Sequence, residues 1–250
     1  MMFFFKPTVL HVDCFTNRQY VHDLYPIDYS HKFFPEWWKA LPKSYDTTGS
    51  LAPVPTMKTC AGFNSFFGHG FMIPLWSDLM VGLTGDGTFG WQYSDGVSGA
   101  MTHGHQQMEG YLDQQRHVHL KLHTPWLIRC KEDINWSWVP NTWAFQNPSQ
   151  VVIPPAVINY KYNYNADVNT FLNFENTDGK ILIKNGTPMV NVIPLTERKL
   201  KIHLHKVSNE EFFNLRESLI PTSFINKYGV QKKLMDKLAS EKKCPFGFGK

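Results

Sequence analysis

The chain has 250 residues, long enough to bury a core without disulfide or metal staples. Charged residues are 18% and aromatics 15%, a balance that argues against disorder, because burial can offset the entropy lost on ordering. The formal net charge of +4 is too weak to point to nucleic acid. Lysine and arginine form no stripe along the chain, and the densest cluster (Lys232, Lys233, Lys237, Lys242 and Lys243) fits a solvated helix face.

Met1 to Phe5 is apolar, but Lys6 and Pro7 end it before a signal-peptide core can form. Residues 8–15 (TVLHVDCF) read as a first strand. Ser30 is placed to cap a short helix through His31, Phe33, Phe34, Trp37, Trp38 and Leu41, with Pro35 restricting its start and Pro42 ending it. Its aromatics are expected to anchor it on a sheet. Residues 46–56 are a loop rich in Gly, Pro and Thr. Residues 70–83 carry short apolar runs, and Gly85, Asp86 and Gly87 turn them back into residues 88–94 as a hairpin. Residues 117–123 (HVHLKLH) alternate strictly. Val118, Leu120 and Leu122 take an inward face, and His117, His119, Lys121 and His123 take the other.

Pro125, Pro140, Pro148, Pro154 and Pro155 forbid long central strands around Trp126, Trp136, Trp138 and Trp143, which are expected mainly in the core. Asn185-Gly186 predicts a hairpin turn between residues 180–184 and 187–195. Residues 200–207 alternate again, with Ile202, Leu204 and Val207 inward. Ser208 and Glu211 match a capping box for a helix that carries Phe212, Phe213, Leu215 and Leu219 and stops before Pro221. A second helix is expected over residues 223–239, and the tail, residues 244–250, is expected to be flexible. These elements predict one mainly β domain over residues 1–250, a β-sandwich of jelly-roll-like form. One short N-terminal helix and a C-terminal helical segment, residues 208–243, complete it.

Cys14, Cys60, Cys130 and Cys244 are far apart and form no CxxC pair, so isolated buried thiols in a reducing compartment are expected. No stretch approaches the ~18 apolar residues that span a bilayer. The chain has no GxSxG elbow, phosphate-cradling glycine loop or HExxH. Gly96 to Gly99 reads as a turn rather than a nucleophile site, and Asp78, Asp86 and Asp95 are carboxylates without an evident pairing.

The densest chemistry is at His103, His105 and Glu109, spaced His-x-His-x3-Glu. This resembles the first metal-binding motif of cupins, where two histidines share one strand face, a carboxylate follows, and a late histidine completes a site with open positions. On that pattern the ligands of a divalent transition metal would be His103, His105, Glu109 and His203, with His117, His119 and His123 as alternates and His205 as another late candidate. The chain departs from the motif. Val97 stands where the pattern has Gly, Gly110 follows the Glu at once, and the second cupin motif is absent. The alternative for Thr102 to Met108 is a polar loop, and for the strand histidines a solvent-facing row.

Several stretches, KPTVLHVDCFT, YPIDYSHKFFPEWWKALPK, MKTCAGF, IPLWSDLMV, WQYSD, HLKLHTPWLI and GTPMVNVIPLTER, resemble an uncharacterised family encoded by marine tailed phages of cyanobacteria and SAR-type bacteria. The resemblance runs from about residue 6 to 215 and implies a viral, soluble, single-domain protein with no assigned activity. It implies a place in the host cytoplasm or the virion and carries over no catalytic residues. Two functions follow: an accessory or virion-associated protein that binds a phage or host protein, and a small cupin-like metalloenzyme. The incomplete metal motif favours the first.

Overall fold

A computed structural model describes residues 8–49, 51–84, 88–112, 116–145, 147–175, 177–217 and 233. The first half of the chain contributes β1 (Val9–Thr16), α1 (Gln19–Leu24), β2 (Asp28–Tyr29), α2 (Glu36–Ala40), β3 (Ser44–Tyr45), β4 (Val54–Pro55), α3 (Ala61–Gly68), β5 (Phe71–Pro74), β6 (Leu79–Leu83), β7 (Phe89–Tyr93), β8 (Gly99–Met101) and β9 (His117–His123). The second half adds β10 (Leu127–Arg129), β11 (Trp136–Pro140), β12 (Val151–Val152), β13 (Ala156–Ile158), β14 (Val168–Asn173), β15 (Lys180–Ile183), β16 (Pro188–Pro194), β17 (Lys199–Lys206) and α4 (Asn209–Glu217).

The chain is mainly β, as its alternating segments predict. A five-stranded sheet runs β13-β11-β16-β5-β2 and a four-stranded sheet runs β12-β14-β9-β8. Three-stranded sheets β10-β1-β17 and β15-β6-β7 complete the layers. Their inward side chains meet in one core. It includes Leu10 and Val12 from β1, Ile73 from β5, Val81 from β6, Leu120 and Leu122 from β9, Trp136 from β11 and Val190 from β16. Trp76, Trp126 and Trp138 are buried with them. Each large apolar side chain taken fully out of water contributes ~1.5–3 kcal/mol.

The β6–β7 hairpin forms as expected, with Leu79 opposite Tyr93 and Leu83 opposite Phe89. Its turn, residues 85–87, lies outside the described residues, as do Cys244, the tail and, apart from Lys233, the second C-terminal helix. Residues 70–83, however, are not one arm. Pro74 ends β5, and the chain crosses through Leu75–Ser77 into another sheet.

Asn185-Gly186 is a turn but not a hairpin. β15 pairs with β6, whereas β16 pairs with β5 and β11. The same corner carries both crossings. The Gly186 N–H donates to the Leu75 carbonyl at 2.6 Å, and the Asn185 N–H donates to Asp78 Oδ1 at 2.8 Å. Two neighbouring strand pairs thus change sheets together, which local sequence does not encode.

The helix expected from Ser30 is broken. Residues 30–33 form a 3-10 turn, Phe34 is extended ahead of Pro35, and α2 starts only at Glu36. Proline disfavours a helical residue before it, and that splits the segment. Ser30 caps nothing. Its buried hydroxyl donates to Asn191 Oδ1 on β16 at 2.6 Å. Phe33, Phe34 and Trp38 pack with Phe63 and Phe67 of α3 in a separate aromatic cluster. At the other end, the Ser208 hydroxyl accepts from the Glu211 N–H at 3.1 Å and starts α4 as predicted. Val207 and Phe212 are buried there, while Ile202 and Leu204 are half-buried against the core. Cys14 and Cys130 are buried, but Cys60, at the start of α3, is exposed.

Candidate functional site

β8 and β9 pair only from Gly99 opposite His123 to Met101 opposite Lys121. Beyond Met101 the chain leaves the sheet as a loop, while β9 runs on to His117 with β14 on its other side. The loop turns back over the histidine face of β9. The His103 backbone N–H donates to His119 Nδ1 at 3.1 Å, and the two imidazoles lie 4.9 Å apart. His119 Nε2 is 3.2 Å from Asn169 Oδ1 on β14.

A ring nitrogen that accepts an N–H carries no proton, so His119 is neutral with its hydrogen on Nε2, donated to Asn169. Burial is the main force holding its pKa below the ordinary histidine value. The Asn169 bond opposes that shift, and His103 and Lys121 add to it. Phe171 packs 5.0 Å from the imidazole, and Tyr111 from the loop meets Phe171 edge-on. His119 is therefore only 7% exposed, not part of a solvent-facing row. The reason is that the loop covers a face that alternation alone marks as wet. Val118, expected inside, is half-buried.

Two clefts share this wall. The larger, ≈ 550 Å³, opens between His119 and the β6–β7 hairpin, where Leu83, Phe89 and Trp91 line it. The smaller, ≈ 390 Å³, lies on the side of Tyr111, Pro154 and Asn169. His103, Met108, His119 and Phe171 border both.

The residues singled out from sequence are distributed as follows. His103 Nδ1 is 2.8 Å from Gln107 Oε1. His105 opens a 3-10 turn, His105–Gln107, and its side chain lies outside the described residues. Glu109 is exposed in the following turn. Neither His103 nor His105 is on a strand, so the alternate-residue geometry expected to aim them together is absent, and the polar loop reading of residues 102–108 holds. His117 lines the larger cleft.

His123 and Lys121 turn instead to Asp167, at 3.1 Å and 3.4 Å. Burial alone would raise the Asp167 pKa, but the His123 bond and the Lys121 charge hold it below the ordinary value. His203 belongs to another sheet. It stacks on His11, with Nε2 2.8 Å from His11 Nδ1, while His205 Nε2 reaches Asp13 Oδ1 at 2.8 Å. His103 and His119 thus come together and His203 pairs elsewhere. Among the described residues no three His, Cys, Asp or Glu side chains are grouped to hold a metal ion.

Ser98 is equally occupied. Its hydroxyl accepts from Trp76 Nε1 and Arg18 Nη1, both at 2.7 Å, and donates to Asp95 Oδ2 at 2.5 Å. With both lone pairs and the proton engaged, it ties a turn to α1 and the core and offers no nucleophile. Asp95 also accepts from Tyr20, the pairing that sequence did not reveal. Trp91, Tyr111, Asn169 and Phe171 were not foreseen as site residues. Only the return of the loop assembles them. Comparison with family models, curated proteins and solved structures finds no match to this chain.

Proposed function

We propose that this protein acts by binding rather than by catalysis, as an accessory or virion-associated protein of a marine tailed phage. In this reading the larger cleft receives an apolar or aromatic side chain of a phage or host protein. The observation that carries the reading is the state of His119. Both its ring nitrogens are engaged inside the protein, whereas a general base or a metal ligand needs a free lone pair. Beside its threonines and histidines the cleft presents large apolar side chains outward: Leu83 is 47% and Trp91 37% exposed. Exposed aromatics of this kind anchor protein interfaces. The viral assignment rests on the sequence stretches that resemble the marine phage family.

Mass spectrometry of purified phage particles, with affinity capture from infected-cell lysate, tests this reading. The expected result is the protein in particles, or a defined partner retained at least about tenfold less by Trp91→Ala. Absence from particles together with equal retention by both forms contradicts it. The metalloenzyme reading makes the opposite demand. About one transition metal per chain would then co-purify and be lost in His103→Ala/His105→Ala.

A further inference from the structure

We propose that a second groove, formed by α2 and the segment after β11, binds a neutral pyranose ring of a glycan. The groove encloses ≈ 660 Å³ and shares no lining residue with the histidine clefts. The inference therefore stands whether or not those clefts bind a protein.

Trp37 and Trp143 form its walls, 42% and 43% exposed, with ring centroids 5.7 Å apart and planes inclined by 44°. Phe63 of α3 is buried behind them. It meets Trp143 edge-on at 5.0 Å and Trp37 at 5.9 Å, so both indoles are held in place before a ligand arrives. The two indoles contact each other, so a sugar ring would stack on their exposed faces and not between them, its C–H bonds meeting the negative π surface.

Asn141, just after β11, lines the same groove. It is 1% exposed, and its Oδ1 has no hydrogen-bond partner. Local structure does not account for it. Its backbone N–H donates to Met189 and its carbonyl accepts from Ala144, while its side chain caps nothing. A buried acceptor without a donor is costly; the Oδ1 atom is sealed from water, so a ligand hydroxyl relieves that cost by displacing the groove wall beside it.

The charges nearby select among ring ligands. Lys32 is paired with Asp28 and Lys39 with Glu36, each at 2.6 Å. The groove therefore has little attraction for a phosphate, which disfavours a nucleotide. An aromatic platform, an unmet acceptor and neutralised charges together fit a sugar that offers a C–H face and hydroxyl donors.

The test is a printed array of neutral glycans probed with the full chain, followed by calorimetric titration of the strongest glycan. Wild type is expected to bind at least one glycan, with affinity about tenfold lower in Trp37→Ala and in Trp143→Ala. Asn141→Leu is expected to lose about fivefold while its Tm stays level or rises, because a side chain with an unpartnered buried oxygen is replaced by an apolar group of similar size. Three results overturn the proposal. One is no glycan bound above the level of a Trp37→Ala/Trp143→Ala double variant. Another is AMP bound in place of every glycan. The third is an Asn141→Leu variant with lowered Tm and unchanged affinity, which would make the side chain purely structural.

Discussion

His119 joins three parts of the molecule: its own strand, the returning loop and β14. Its pH behaviour follows from its neutral state. The folded pKa lies below the unfolded value of about 6.5, so the unfolded chain binds the extra proton first. The stability this side chain contributes is present above about pH 6.5 and is lost as pH falls through the folded value. Urea unfolding of wild type and His119→Gln should therefore show a stability gap that narrows from pH 7.5 to pH 5. A gap that is constant with pH would mean the imidazole does not titrate as argued. Ser98 is a second residue whose worth is local. Ser98→Ala leaves the buried Trp76 indole N–H without its acceptor and should cost about 1–3 kcal/mol by the same measurement. The thiols divide by burial. Cys14 is fully buried and its pKa is pushed far up by that burial, with Asp13 adding to it. In a Cys244→Ser background a disulfide-exchange reagent should label Cys60 in the native state, and Cys14 and Cys130 only on unfolding.

Among the elements, β1, β9, β17 and α4 were legible because each carries its own signal, period-two alternation in the strands and a hydroxyl cap in the helix. The failures have a common cause. Asn185-Gly186 has the chemistry of a hairpin turn, yet β16 takes β5 and β11 as its partners and leaves β15 to β6. His119 has the alternation of an outward residue, yet a loop from the preceding segment buries it. Ser30 has the chemistry of a cap, yet Asn191 from a distant strand takes its hydroxyl. Each is a tertiary contact that overrides a correct local preference. Gly70 is a further case. It sits at φ +82° just before β5, and a Cβ there would stand 2.2 Å from the Val192 carbonyl oxygen of β16. Gly70→Ala should cost more than about 2 kcal/mol, combining left-handed strain with a backbone clash. Gly90→Ala on β7, where a Cβ meets nothing within 4 Å, should stay within about 1 kcal/mol of wild type.

Across the whole molecule, the first and last strands of the described residues lie side by side. β1 and β17 pair in parallel over eight residues, from Val9 opposite Lys199 to Thr16 opposite Lys206. A parallel pair cannot be joined by a tight turn, and here residues 17–198 serve as the connection. Among the described residues no helix is long and apolar enough to cross a membrane. The surface that remains carries aromatic walls in two separate places, the histidine cleft and the Trp37–Trp143 groove, while both ring nitrogens of His119 and the Ser98 hydroxyl are engaged inside the protein. That arrangement is the reason for reading the molecule as a binder. The most direct test is a long-range ¹H–¹⁵N correlation spectrum of the His119 ring, recorded before and after one equivalent of Zn²⁺. A bare Nδ1 and a protonated Nε2, both unmoved by zinc, are the predicted result. A stoichiometric shift of either nitrogen to a metal-bound position, with release of the His103 amide, would contradict it.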